Sequence, residues 1–350
     1  MLVDLSSGHD DSRESLVAER PTVPFWSENL LFALYDPDTD LGFWLHLGTE
    51  PTQWNLWEDR VFVMLPGNEG VMSMTGHHQT VPECRPAASC LAFECLEPFR
   101  RWHVTFDGFG RPTTNQEMAQ GRCQMGLRER LIIDFDVECA TPVWDAHDAA
   151  GLDTGKGAMR AQGWAKEHYE QLVRASGSVV VGEREFHFNG TGWRDHSRGP
   201  RGGGTGAPWG GHVIQGCLFP SGKGFGFSRY WTPTGEISLE GGYVVGADGV
   251  LHHAEVMAAP RLKTLQMSDE TLPVALRWEG GELALSWQTT RSLWIAMRKG
   301  FVVGADLSDE GVVYALNFGP VSWDGETGWL YSERSDALNA LAPDVHPARG

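Results

Sequence analysis

Short apolar runs recur along this chain at close spacing, and turn formers separate them. Runs such as Leu30–Tyr35, Gly42–Gly48, Arg60–Leu65, Leu91–Leu96, Trp102–Phe106 and Leu131–Val137 are rich in β-branched or aromatic residues. A second set spans His212–Phe219, Gly224–Trp231, Ile237–Val245, Leu251–Val256, Thr271–Trp278, Leu283–Trp287, Leu293–Met297, Val312–Phe318 and Gly328–Glu333. Asp36-Pro37-Asp38, Asp107-Gly108, Pro233-Thr234-Gly235 and Asp248-Gly249 punctuate them, as tight turns require. At 184–189 the pattern alternates, with Phe186 and Phe188 on one side and Glu185, His187 and Asn189 on the other.

Helical periodicity is weak, with short candidates only at Glu14–Glu19, Ala158–Glu167 and Asp336–Leu341. Strands do not alternate with long helices, which argues against Rossmann and TIM architectures. The pattern predicts an all-β protein of short antiparallel strands, a sandwich or barrels, and barrels remove exposed edges. The first barrel is placed at 21–185 and the second at 186–335, a division that suits 350 residues.

A net charge of −18 opposes nucleic acid, whose phosphates call for Lys and Arg, and opposes attraction to anionic membranes. The bland reading of that charge is a solubilising surface. No apolar run approaches the roughly 20 residues of a membrane helix. The polar opening MLVDLSSGHDDSRESLVAER lacks a secretory pattern, so the expected location is cytoplasmic. Six cysteines without CxxC spacing suggest free thiols rather than a disulfide frame or a metal site. The 15 Trp and 16 Phe suit cores, and also the walls of an apolar cavity.

Searches for a nucleophile elbow, a zinc-protease helix or a phosphate loop find nothing. The glycine-rich stretch 199–206 lacks the Lys-Ser/Thr end of a phosphate cradle and reads as a mobile loop. The adjacent pairs His77-His78 and His252-His253 would point to opposite faces of a strand and cannot readily share a metal. No metal or cofactor is expected.

One segment stands apart: Gly190-Thr191-Gly192-Trp193-Arg194-Asp195-His196-Ser197-Arg198-Gly199-Pro200-Arg201. It sets an acid, an imidazole, a hydroxyl and three guanidinium groups beside a Trp. A carboxylate among such neighbours can be tuned as acid or base. The competing reading is a salt-bridged joint between domains.

This block, with Trp26-Ser27-Glu28-Asn29, Pro98-Phe99-Arg100-Arg101-Trp102 and His168-Tyr169-Glu170-Gln171, resembles the double-lipocalin proteins related to carotenoid 1,2-hydratase and the AttH-like group. The similarity runs from about residue 24 to 333 and departs at Arg198, where that group carries Trp. It implies an all-β fold of two tandem lipocalin-like antiparallel β-barrels, with a cavity for a large, oily small molecule at the barrel junction, worked without a cofactor.

The leading expectation is therefore a hydratase or dehydratase of a terpenoid, steroid-like or aromatic substrate. Asp195 would be its acid, His196 and Arg194 would tune that acid, and Glu28 would be the second carboxylate. Trp193, Arg201, Asn29, Tyr169 and Trp231 would bind the substrate. Two rivals stand beside it: a pericyclase or isomerase that chiefly positions its substrate, and a non-catalytic carrier of hydrophobic ligands. The expected partner is the small molecule alone, without nucleic acid or stable membrane insertion, and a homodimer is left open.

Overall fold

A computed structural model describes residues 3–17, 19–67, 69–79, 89–123, 126–201, 206–298, 302–303 and 311–341. Eleven strands make the first half: β1 (Trp26–Asp36), β2 (Leu41–Glu50), β3 (Gln53–Met64), β4 (Val71–Gln79), β5 (Leu91–Glu97), β6 (Arg101–Thr113), β7 (Glu129–Cys139), β8 (Trp144–Asp145), β9 (Lys156–Gly157), β10 (Glu167–Val181) and β11 (Arg184–Pro200). Ten follow: β12 (His212–Leu218), β13 (Gly224–Trp231), β14 (Ile237–Val245), β15 (Leu251–Ala258), β16 (Thr271–Trp278), β17 (Gly281–Gln288), β18 (Arg291–Arg298), β19 (Val302–Val303), β20 (Val312–Trp323) and β21 (Glu326–Ala337).

The first sheet closes on itself. Its path runs β11-β1-β2-β3-β4-β6-β7-β10, and β10 pairs back onto β11 to close the ring, with β5 joined to β6 beside the short β4–β6 pairing. The second sheet runs β17-β16-β15-β14-β13-β12-β21-β20-β18-β19 and curls into a second barrel-like body. The strand β9 belongs to this second sheet, through β14. Among the described residues the α-helices are α1 (Asn115–Ala119) and α2 (Ala146–Ala150). The fold is thus all-β, in two tandem barrels.

Three boundaries differ from the sequence expectation. The strand Arg184–Pro200 pairs with both β1 and β10, so the first barrel extends to Pro200 instead of ending near 185. The expected helices at 14–19 and 158–167 reduce, among the described residues, to 3-10 turns at Asp11–Arg13 and Met159–Ala161. At the other end, β21 continues to Ala337 before a 3-10 turn at Leu338–Ala340. Residues 202–205 of the glycine-rich stretch, and Cys84, lie outside the described residues.

Alternation along β1 and β11 explains the core. Leu30, Phe32 and Leu34 point into the first barrel with Phe43, Trp102 and Phe135, while Leu31, Ala33, Tyr35 and Trp193 point outward. Outward there means toward the second barrel, where Ile214, Tyr243 and Tyr331 meet them. Each such side chain withdrawn from water contributes roughly 1.5–3 kcal/mol. Trp193 stacks on Tyr331 at 5.8 Å, and Tyr35 on Phe318 at 4.9 Å. Gly216 is needed for this approach, because a Cβ there would come within 2.9 Å of the Leu172 side chain. Asn115 of α1 ties the halves further, donating to the Ser292 carbonyl at 2.7 Å and accepting from the Trp294 amide.

Candidate active site between the barrels

The segment Trp193–Pro200 is a strand with both faces buried, not an irregular loop. Its residues therefore divide by parity. Asp195 and Ser197 face the second barrel beside Asn29, and Arg194, His196 and Arg198 face into the first. The two sets belong to different sites.

On the outward face lies a half-open cavity of about 90 Å³. Asn29, Trp44, His46, Arg60, Asp195 and Arg201 line it from the first barrel, and His212, Tyr230, Tyr314 and Glu333 from the second. Trp164 stacks on Tyr230 at 4.6 Å along its wall. Sites that enclose a drug-sized ligand usually measure about 300–1,000 Å³. This one is well below that range.

Asp195 is the carboxylate that this setting raises. Its side chain is 15% exposed, and burial, then the charges of Glu170 and Glu333, push its carboxyl up to about 7. His168 and Arg201 pull the other way without cancelling the rise. His168 Nδ1 lies 3.6 Å from an Asp195 oxygen, and His168 Nε2 donates to Glu170 at 2.8 Å. Burial opposes a charge on His168, but the Glu170 hydrogen bond and charge, with Asp195, raise its pKa above the usual value. Glu170 is held in turn by Trp193 Nε1 at 2.9 Å and by the Ser228 hydroxyl of the second barrel at 2.6 Å. Asp195, His168 and Glu170 thus form a chain backed by both barrels.

Glu333 is the contrasting carboxylate. Burial would raise it, yet hydrogen bonds from His212 (2.8 Å), Tyr331 (2.6 Å) and Trp44 (2.9 Å) hold it below the ordinary range. His212 Nδ1 meets the Ser335 hydroxyl at 2.5 Å, which fixes the ring. Two carboxylates on one cavity, one pushed up and one held down, permit distinct acid and anion roles.

The inward face carries a different network. His196 Nε2 donates to Glu28 at 2.9 Å, and the Tyr169 hydroxyl lies 2.6 Å from His196 Nδ1. Tyr169 donates to Glu14 at 2.7 Å, and Glu14 pairs with Arg194 at 2.9 Å. Burial of Glu14 is outweighed by Arg194, so its carboxyl stays low, and burial of Arg194 is outweighed by Glu14, so its pKa rises. Glu28 also accepts from the Val17 amide at 3.0 Å, which seats the N-terminal segment over this end of the barrel.

The structure brings together Asp195, Arg201 and Asn29 of the residues expected from sequence. Trp193 supports them from behind through Glu170. It separates Glu28, His196, Arg194 and Tyr169 from that cavity, because they lie across the sheet. Trp231 faces the core of the second barrel, and its neighbour Tyr230 lines the cavity. Arg198 pairs with Glu167 at 2.9 Å on the inward side, so it does not shape the cavity floor. Sequence reading missed His168, Glu170, His212 and Glu333. The first two flank the chosen Tyr169 in a quoted motif, and one step of parity separates them from it. Glu333 sits in Ser332-Glu333-Arg334-Ser335-Asp336, a run of five consecutive polar residues that are all buried in a strand.

Among the described residues, His9, Asp145 and Asp148 bring ligand atoms within 4.8 Å of one another. Arg13 already bonds Asp145 at 2.8 Å there, and a guanidinium opposes a metal cation. Cys90, Cys95, Cys123, Cys139 and Cys217 are free thiols.

The closed eight-stranded barrel and its curled partner define a double-lipocalin-like fold, with the cavity between its two bodies. The chain belongs to the family described as "Domain of unknown function (DUF7064)", whose profile matches residues 11–337. Among solved structures it is similar to an AttH-like protein from Nitrosomonas europaea, at 12% identity and a TM-score of 0.55, over 96% of this chain and 100% of that one. CghA in complex with Sch210972 matches at 9% identity and a TM-score of 0.49, covering 89% of each chain. Kievitone hydratase from Nectria haematococca matches at 10% identity and a TM-score of 0.45, again over 89% of each. No curated protein matches the chain.

Proposed function

We propose that the chain is a cofactor-independent acid–base enzyme, a hydratase or dehydratase, working in the cavity between its barrels. The observation that carries this reading is the Asp195 carboxyl, pushed up to about 7 on the wall of that cavity. A carboxylic acid that keeps its proton near neutrality, yet gives it up readily, is what proton delivery to carbon or to a leaving hydroxyl requires.

In the hydration direction Asp195 protonates one alkene carbon, leaving a cation on the other. The ionised Glu333 and the faces of Trp164, Tyr230 and Tyr314 stabilise that cation. Water adds to it, and the extra proton returns to Asp195. His168, held by Glu170, steadies the Asp195 carboxylate between the two events. Dehydration runs the same steps in reverse. The cavity volume favours an aromatic or short branched reacting end over an enclosed terpenoid or steroid.

The test is turnover in deuterated water of a panel of styrenes, isoprenyl compounds and their tertiary or benzylic alcohols, each with and without a carboxylate substituent. Hydration through Asp195 places deuterium on carbon, and Asp195→Asn abolishes it. Products without carbon-bound deuterium, or a fully active Asp195→Asn, would remove the proposal.

A further inference from the structure

The cavity holds a second group of charged side chains, which the acid–base chemistry does not use. Arg201 lines it, partly buried, and among the described residues no carboxylate lies within ion-pair distance of it. Its Nε donates to the Trp164 carbonyl at 2.8 Å, and one terminal nitrogen reaches the Ser197 hydroxyl at 3.4 Å. Burial, then the nearby Arg60 cation, pull its pKa below the ordinary value. Asp195 shares the cavity, but an acid that keeps its proton near neutrality is a poor fixed counter-ion. Arg60 has its own partner in Glu58, while its Nε is buried without a hydrogen-bond partner among the described residues.

His46 completes the group. It is 8% exposed, lines the same cavity, and its Nδ1 is likewise buried without a partner among the described residues. Burial, then Arg60 and Arg201, hold its pKa well below the usual value, so the ring is a neutral donor or acceptor. Burying a guanidinium without a counter-charge is costly, and an anionic ligand seated on it would remove that cost. A guanidinium fork matches a carboxylate in two parallel hydrogen bonds.

We infer that the ligand of this cavity is an amphiphilic monocarboxylate, its anion seated on Arg201 with His46 and Arg60 beside it. This rests on the proposed acid–base reading for the place of the reacting carbon, and it adds the substrate class. A dianion such as a phosphate monoester fits poorly, because Glu333 and Asp195 share the chamber. The carboxylate then fixes the distance from the anion to the carbon that Asp195 protonates. Neutral hydrocarbons, alcohols and amides lack that anchor.

The experiment is calorimetric titration of the full chain at neutral pH with hydrocinnamate and its primary amide, followed by a series of carboxylates from acetate to decanoate. Hydrocinnamate is expected to bind at least about tenfold more tightly than the amide, the discrimination of a charge-assisted contact. Arg201→Gln is expected to bring that ratio to about one, with amide affinity little changed. The same substitution should raise the melting temperature of the unliganded protein, because it removes an uncompensated buried charge; an arginine that is merely structural would lower it. Equal affinity of wild type for acid and amide overturns the inference. So does a carboxylate series that fails to bind up to about 1 mM. Either result leaves the Asp195 chemistry untouched. An anion preference retained in a protein whose turnover does not need Asp195 overturns the acid and leaves the anion site standing.

Discussion

Nδ1 of His168 lies 3.6 Å from the Asp195 carboxylate, across the pairing of β10 with β11. Glu170 stands directly opposite Asp195 in that pairing, on the same face. A cation and an anion therefore act on one acid from a single strand, and their balance sets its proton affinity.

Asp195→Asn keeps the shape of the side chain and removes its proton. Loss of a positioned general acid typically costs about a hundred- to ten-thousand-fold in rate. Ligand affinity should change far less, because the aromatic wall and Arg201 remain. Steady-state kinetics and calorimetry together check this split.

His168→Asn removes the positive charge nearest the acid. The Asp195 proton is then held more tightly. The descending limb of the rate-against-pH profile, expected near pH 7 in the wild type, should move to higher pH. A limb that stays in place would show that His168 does not tune the acid.

Asp195 also predicts a pH dependence of stability. Its folded pKa is raised above the unfolded value, so the stability it contributes is full below about pH 4 and is lost as pH rises through about 7. Between those limits wild type should fall relative to Asp195→Asn by a few kcal/mol. Denaturant unfolding of both proteins at pH 5 and pH 8, as flagged by this window of about 4 to 7, measures the difference.

The inward network should behave as structure rather than as chemistry. Glu14→Gln leaves the Arg194 guanidinium buried without its partner, at a cost of about 3–5 kcal/mol. Glu28→Gln should likewise lower the melting temperature. In neither variant should the pH limb of turnover move, because both groups lie across the sheet from Asp195.

The two barrels were legible in the sequence because short apolar runs recur between turn formers, and because strands such as Glu129–Cys139 and Thr271–Trp278 bury one face and alternate, as Phe186 and Phe188 do against Glu185 and His187. The segment from Trp193 to Pro200 was legible as chemistry but not as a strand. Both of its faces are buried among polar partners, so no apolar period shows. That hid the parity which sends Asp195 to the cavity and Arg194 and His196 into the barrel. Glu333 and His212 were hidden for another reason: they come from distant strands of the second barrel, and only the packing of the barrels brings them to Asp195.

The most direct test of the account is the titration of Asp195 itself. Protein carrying carbon-13 at its aspartate carboxyls, with the Asp195 signal assigned by its loss in Asp195→Asn, reports ionisation without any substrate. The account predicts a midpoint at about 7. A midpoint near the ordinary aspartate value of about 3.9 would contradict it, because an acid already ionised at neutral pH has no proton to deliver.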